Sequence, residues 1–380
     1  MLKRLAAACA GVFSLLGVAP AADDAFQSRL AEFAASDDVV GLAAAVVRGG
    51  KTTLIGTYGV RAIDGEAPIA RDTRFRIASL SKGFASSVVA QLLAEKKLSL
   101  DDSIATYAPD FRLRGAPARA ATLEAILSHR VGLPPYAYDN LLEAGVPPRE
   151  IRRRLGDVKP VCGIAQCYAY QNVAYDTIAD AIAEVDGRPY ADAVRVRLFE
   201  PLALKSASFG RAALTSDENW ARPHRRRRGA NWRVVEVKPF YYALPAAGGV
   251  NATVDDMAAW LAAQMGYAPE VLDEEMRAEL HRPRVSTPAE IRRLRLMRPH
   301  LKDAQYGLGW RIYDYAGETV VSHSGSVDGY SAQIAFLPAR DAGLVLLTNS
   351  RSKAFWGLMP AFLNNELGLA MDNADGADAG

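Results

Sequence analysis

The chain has 380 residues, half of them apolar, and carries 45 Lys and Arg against 43 Asp and Glu. That is ample material for a large core in one domain or two. So even a charge balance offers no electrostatic footprint for nucleic acid, and the basic runs at 152–154 and 225–228 read as solvated faces.

Lys3 and Arg4 precede an apolar stretch over 5–18 that is too short to span a bilayer, and Ala19-Pro20-Ala21 follows it. The reading is a signal peptide over 1–21 and an exported mature chain, periplasmic or secreted, starting near Ala22. Cys9 sits too early for a lipidated cysteine, and no later stretch is apolar enough to span a membrane. Cleavage leaves Cys162 and Cys167, which in an oxidising compartment read as a disulfide. Its short loop makes the expected stabilisation modest, about 2 kcal/mol. Two cysteines without a nearby histidine, and scattered histidines elsewhere, make no zinc set, so no metal is expected.

A short helix is expected over 26–35. The apolar run 39–47 and its return over 52–60, joined by Arg48-Gly49-Gly50-Lys51, read as a β-hairpin. Phe84, Val88 and Leu92 recur every four residues and predict a helix to about Lys97. Further helices are expected over 123–128, 149–155, 172–185 and 190–198, then over 255–265 with Thr253 as its N-cap. Strands follow over 307–313, 320–326, 330–337 and 343–348, then a closing helix over 354–367 and a small acidic tail over 371–380. The predicted class is α+β, an α/β sandwich. An antiparallel sheet built from N- and C-terminal strands is flanked by helices and carries a mostly helical insertion. One catalytic domain over 22–370 is expected, with a sheet lobe near 37–80 and 300–370 and a helical lobe near 81–299.

Ser79-Leu80-Ser81-Lys82 opens the helix that begins this insertion. A serine hydroxyl is a poor nucleophile until a base takes its proton, and a desolvated lysine one turn away can do so. Ser350-Arg351-Ser352-Lys353 has the same spacing, so spacing alone does not decide. Tyr170-Gln171-Asn172 lies at a loop-to-helix junction just after Cys167. A tyrosine beside a lysine can share protons with it, the ammonium favouring phenolate, and Asn172 can hydrogen-bond the lysine or a substrate amide. Tyr138-Asp139-Asn140 has the same form and is the competitor. His323-Ser324-Gly325-Ser326 ends a predicted strand, where Gly325 would let a substrate approach the backbone. The Ser326 and Ser79 N–H groups could then form an oxyanion hole.

In order and separation, Ser79-Leu80-Ser81-Lys82, Tyr170-Gln171-Asn172 and His323-Ser324-Gly325 resemble the motifs of the serine β-lactamase and penicillin-binding hydrolases. The likeness is to the class C β-lactamase side, which includes D-Ala-D-Ala carboxypeptidases, D-aminopeptidases and family VIII carboxylesterases. Leu127-Ser128-His129, Gly132-Leu133-Pro134, Ala247-Gly248-Gly249-Val250 and Tyr306-Gly307-Leu308-Gly309-Trp310 are similar too, so the resemblance covers roughly 39–367. It implies Ser79 as acylated nucleophile, Lys82 as its activating partner, Tyr170 as general base or acid, and Asn172 as the group that orients Lys82 or substrate. It implies no cofactor, and a small-molecule or peptide substrate.

The third motif has His323 where family members commonly carry a lysine that helps hold the substrate carboxylate. A largely neutral imidazole holds it less well at pH 7. The expected activity is therefore on an ester, amide or D-amino-acid peptide, with weak or no β-lactamase activity. The alternatives are a class C-type β-lactamase or a non-catalytic penicillin- or peptidoglycan-fragment-binding protein. An α/β-hydrolase is excluded by the lack of Gly-x-Ser-x-Gly.

Overall fold

The computed structural model describes residues 19–115, 117–226 and 231–370. Most of the leader read over 1–21, Arg227 and Arg228, and the tail over 371–380 lie outside the described residues. The principal helices are α1 (Ala19–Ala35), α2 (Ser81–Ala94), α3 (Thr177–Asp186), α4 (Val254–Met265) and α5 (Leu358–Leu367). An eight-stranded sheet comprises β1 (Gly41–Arg48), β2 (Lys51–Gly59), β3 (Val285–Ser286), β4 (Leu301–Tyr306), β5 (Arg311–Tyr315), β6 (Glu318–Val327), β7 (Tyr330–Leu337) and β8 (Ala342–Thr348).

The strand order is β2-β1-β8-β7-β6-β5-β4-β3, antiparallel throughout. N- and C-terminal strands pair one strand in from an edge of the sheet, where Leu42 faces Thr348 and Arg48 faces Ala342. β1 is an unbroken apolar run because both its faces are covered. Ala43, Ala45 and Val47 pack toward the helical layer, and Leu42, Ala44 and Val46 pack toward α1 and α5. On the helical side α2 is buried nearly all round, and Phe84 stacks on Trp260 of α4 at 4.1 Å. Thr253 caps α4 in a reciprocal box, its hydroxyl accepting from the Asp256 N–H while the Asp256 carboxylate accepts from the Thr253 N–H.

Three local expectations are corrected. The strand read over 307–313 is a turn followed by β5, and β4 precedes it. Gly309 has φ +79°, and a Cβ there would stand 2.8 Å from Ser86 Oγ and 3.1 Å from the Lys82 carbonyl. Gly309 lets the turn press against α2; it does not extend a strand. The helix read from 172 starts at Thr177, because Asn172 and Asp176 direct their side chains into tertiary bonds. Arg152 is not solvated: it is buried and pairs with Asp176 at 3.2 Å and with Asp180. Among the described residues, no helix is long and apolar enough to cross a membrane.

Candidate active site

Ser79 lies in a 3₁₀ turn, Ala78–Leu80, that feeds directly into α2. Ala78 is held at φ 49°, a left-handed conformation that a non-glycine residue keeps only when its surroundings enforce it. Those surroundings include β6. A Cβ on Gly325 would collide with the Ile77 carbonyl and stand 2.9 Å from the Ser79 nitrogen. Gly325 therefore allows the strand to lie against the serine turn. That close approach is to the protein's own backbone and not, as expected, to a substrate.

Lys82 is fully buried. Its ammonium donates to Asn172 Oδ1 at 2.8 Å, to the Ala247 carbonyl at 3.0 Å and to Ser79 Oγ at 3.4 Å. Loss of hydration on burial brings its pKa down to about 7, against the opposing pull of Asp139 and Asp176. The Tyr170 phenol faces the Ser79 hydroxyl, and its ring centroid lies 4.7 Å from Lys82 Nζ. Burial drives the Tyr170 pKa well above the usual phenol value. Burial thus favours the neutral amine and the neutral phenol, in place of the ammonium–phenolate sharing expected from the sequence.

Asn172 bridges inward: its amide donates to Asp139 Oδ2 at 2.6 Å while its oxygen accepts from Lys82 Nζ. Asp139 belongs to the competing Tyr138-Asp139-Asn140 triplet. That triplet contributes its middle residue, while Tyr138 is half-buried against the helical core and Asn140 is exposed. The Tyr170 segment is held on several sides. The Ala169 N–H donates to the His129 carbonyl at 2.9 Å and the Gln171 N–H to His129 Nδ1 at 3.2 Å. The Tyr136 N–H donates to the Tyr170 carbonyl at 2.8 Å. Just before it, Cys162 and Cys167 are joined as a disulfide. Asp176 accepts from the Ala246 N–H at 2.9 Å and so fixes the short helical turn Pro245–Gly248, whose Ala247 carbonyl receives Lys82.

A cavity of about 220 Å³ opens over these groups, lined by Ser79, Tyr170, Asn172, Gly325 and Ser326, with Arg311 among its other walls. His323 is not one of its walls. Its Nδ1 faces the Ser324 carbonyl at 3.0 Å and its Nε2 faces the Tyr306 hydroxyl at 3.1 Å. The carbonyl can only accept, so Nδ1 carries the proton and Nε2 accepts from tyrosine. Burial, with Arg311 and Lys82 nearby, pushes the His323 pKa well below its usual value. The side chain is therefore a neutral wall of a neighbouring cavity. The cation that reaches the Ser79 cavity is Arg311, paired with Glu290 at 2.7 Å. Neither Arg311 nor Asp139 could be found from motif spacing; one stands outside any motif and the other inside the rival one.

The second Ser-x-x-Lys is dispersed. Ser350 bonds Thr348 and the Val40 N–H, Ser352 accepts from the Ala354 N–H, and Lys353 is exposed. No group of His, Cys, Asp and Glu among the described residues is placed to hold a metal ion.

An unguisins hydrolase of Aspergillus violaceofuscus is 24% identical over 365 residues, covering 88% of this chain and 63% of its own length. The D-alanyl-D-alanine-carboxypeptidase/endopeptidase AmpH of Escherichia coli K12 is 27% identical, covering 73% of this chain and 72% of its own length. The chain thus spans about three-fifths of the unguisins hydrolase and nearly three-quarters of AmpH. The octameric penicillin-binding protein homologue of Pyrococcus abyssi shares the fold, with a TM-score of 0.79, 23% identity and coverage of 91% of this chain and 77% of that one. The Beta-lactamase family model matches residues 26–361, which contain the whole sheet and the helical layer that holds Ser79, and the chain belongs to that family.

Proposed function

We propose that this protein is an exported serine hydrolase that forms an acyl-enzyme on Ser79 and acts on an ester, an amide or a D-amino-acid peptide. The observation that carries the reading is the convergence of Lys82 Nζ and the Tyr170 hydroxyl on Ser79 Oγ. Neutral Lys82 takes the serine proton as Oγ attacks the substrate carbonyl. The oxyanion forms against the Ser79 and Ser326 N–H groups, brought together where Gly325 meets the serine turn. The proton passes through Tyr170 to the departing oxygen or nitrogen. Water then attacks the acyl-serine ester by the same route in reverse and restores Oγ–H.

The carboxypeptidase name of one relative and the hydrolase name of another support this class of reaction. β-Lactam turnover is expected to be weak, since His323 is neutral and turned toward Tyr306. The test is hydrolysis of a short-chain nitrophenyl ester by the native protein and by Ser79→Ala, with the trapped acyl group located by mass spectrometry. Loss of both hydrolysis and the adduct in the folded variant is the expected result. Equal rates, or an adduct on another residue, would remove Ser79 from the role.

A further inference from the structure

A second cavity, of about 360 Å³, adjoins the first, and Arg311, Ser324 and Trp356 line both. It lies between β5, β6 and β7, the 293–297 segment and the start of α5. Nothing in the reaction described above uses it. Three of its features point to a ligand.

Leu294, Met297 and Met359 give it apolar walls. Gln333 lies in its wall, 3% exposed, with Oε1 lacking any hydrogen-bond partner and Nε2 facing only the Met359 sulfur at 4.0 Å. A buried amide oxygen left unpaired is costly, so a group that supplies a donor there is bound favourably. The mouth carries Arg293, Arg295 and Lys353, all exposed, and the last two enter no ion pair among the described residues. Arg293 has only a long contact of 3.6 Å with Glu290.

We infer that this cavity is the subsite for the leaving group, and that the leaving group is a bulky apolar amine or alcohol with a hydrogen-bond donor and a distal carboxylate. The inference rests on the acyl-enzyme reading of Ser79. The leaving atom must sit at the Tyr170 hydroxyl, which supplies its proton. Two walls of the cavity face that tyrosine: Arg311 is 5.8 Å from its ring centroid and the His323 ring is 6.3 Å away. Asn172, Asp139, Tyr241 and Ala247 line the first cavity and not the second. A leaving group that passes Arg311 and Ser324 buries its apolar part between Leu294 and Met359. It gives its donor to Gln333 and meets the free cations at the mouth with its carboxylate. A methyl side chain would leave most of that volume unfilled.

The test holds the acyl part constant, as N-acetyl-D-alanyl, and varies the leaving residue among alanine, phenylalanine and phenylalanine amide in both configurations. The native protein is expected to favour phenylalanine in kcat/KM by about tenfold over alanine, and by a similar factor over the uncharged amide. Leu294→Trp, which fills the cavity, should erase the preference for phenylalanine over alanine. Arg295→Glu with Lys353→Glu, both on the exposed rim and not expected to disturb folding, should erase the preference for the free carboxylate and keep the apolar one. Equal kcat/KM for all leaving groups, with hydrolysis still dependent on Ser79, would overturn the subsite and leave the acyl-enzyme intact. A preference that follows the acyl part instead would likewise overturn it. Absence of Ser79-dependent hydrolysis of these substrates and of the nitrophenyl ester would refute the acyl-enzyme reading, and the subsite with it.

Discussion

At the scale of single residues, chemistry at Ser79 depends on which forms of Lys82 and Tyr170 burial favours. Lys82 acts as a base only when neutral, and its pKa lies at about 7. Ester hydrolysis should therefore rise with pH, with kcat/KM at pH 6 about tenfold below its alkaline plateau. Lys82→Arg, which stays charged, should lose activity and this inflection together; a native profile flat from pH 5 to 8 would count against the assignment. The unfolded lysine keeps its ordinary value of 10.5, so between that pH and about 7 the unfolded chain binds more protons. Stability therefore gains from this group as pH rises across that interval. Tyr170→Phe should lower kcat by about a hundredfold or more, as expected for loss of a positioned proton carrier. Tyr138→Phe should change it little, because Tyr138 packs against the helical core outside the cavity. Ser79, Lys82, Tyr170 and Asn172 were legible in the sequence because each motif keeps its members within one turn or loop. Arg311 was not, since it reaches the site from a strand more than a hundred residues from Tyr170.

At the scale of elements, the site depends on β6 lying against the 3₁₀ turn. Gly325→Ala would place a methyl group against the Ile77 carbonyl and Ser79 nitrogen. Backbone cannot yield as a flexible side chain does, so a cost of about 1–3 kcal/mol is expected. The displaced oxyanion donors should reduce kcat by at least about a hundredfold. Thermal melting and ester hydrolysis of the purified variant measure the two effects separately. The Cys162–Cys167 bridge closes a short loop just before Tyr170. Its reduction, or Cys162→Ser with Cys167→Ser, should lower stability by about 2 kcal/mol in denaturant titration. Because the loop ends three residues before Tyr170, KM or kcat should worsen as well. Unchanged kinetics would mean that His129 and Tyr136 hold the tyrosine segment without help.

At the scale of the whole molecule, the sheet packs α2 and α4 on one face and, on the supporting face, α1 and α5, the start of α5 also bordering the second cavity. Phe26 of α1 is buried and meets Phe362 of α5 edge-on at 5.4 Å on the supporting face. Arg48 ties the same face together through Asp23 at 2.8 Å and Glu366 at 2.6 Å. Phe26→Ala should destabilise the protein by about 3–5 kcal/mol while leaving kcat per folded molecule unchanged. Denaturant titration with active-site counting tests that separation; a fall in kcat equal to the loss in stability would show that the two faces are coupled.

The amino-acid sequence by itself determined the elements with strong local signals. Continuous apolar runs marked β1, β7 and β8, four-residue periodicity marked α2, and Thr253 marked the start of α4. It also determined the order of the three motifs, and with it the family. Tertiary structure alone decided that Asp139 stands behind Asn172, that His323 turns to Tyr306, and that Gly325 serves the serine turn. The physical reason is range. Periodicity and capping act over a few residues, whereas burial and hydrogen-bond partners depend on what the chain brings alongside from far away in sequence.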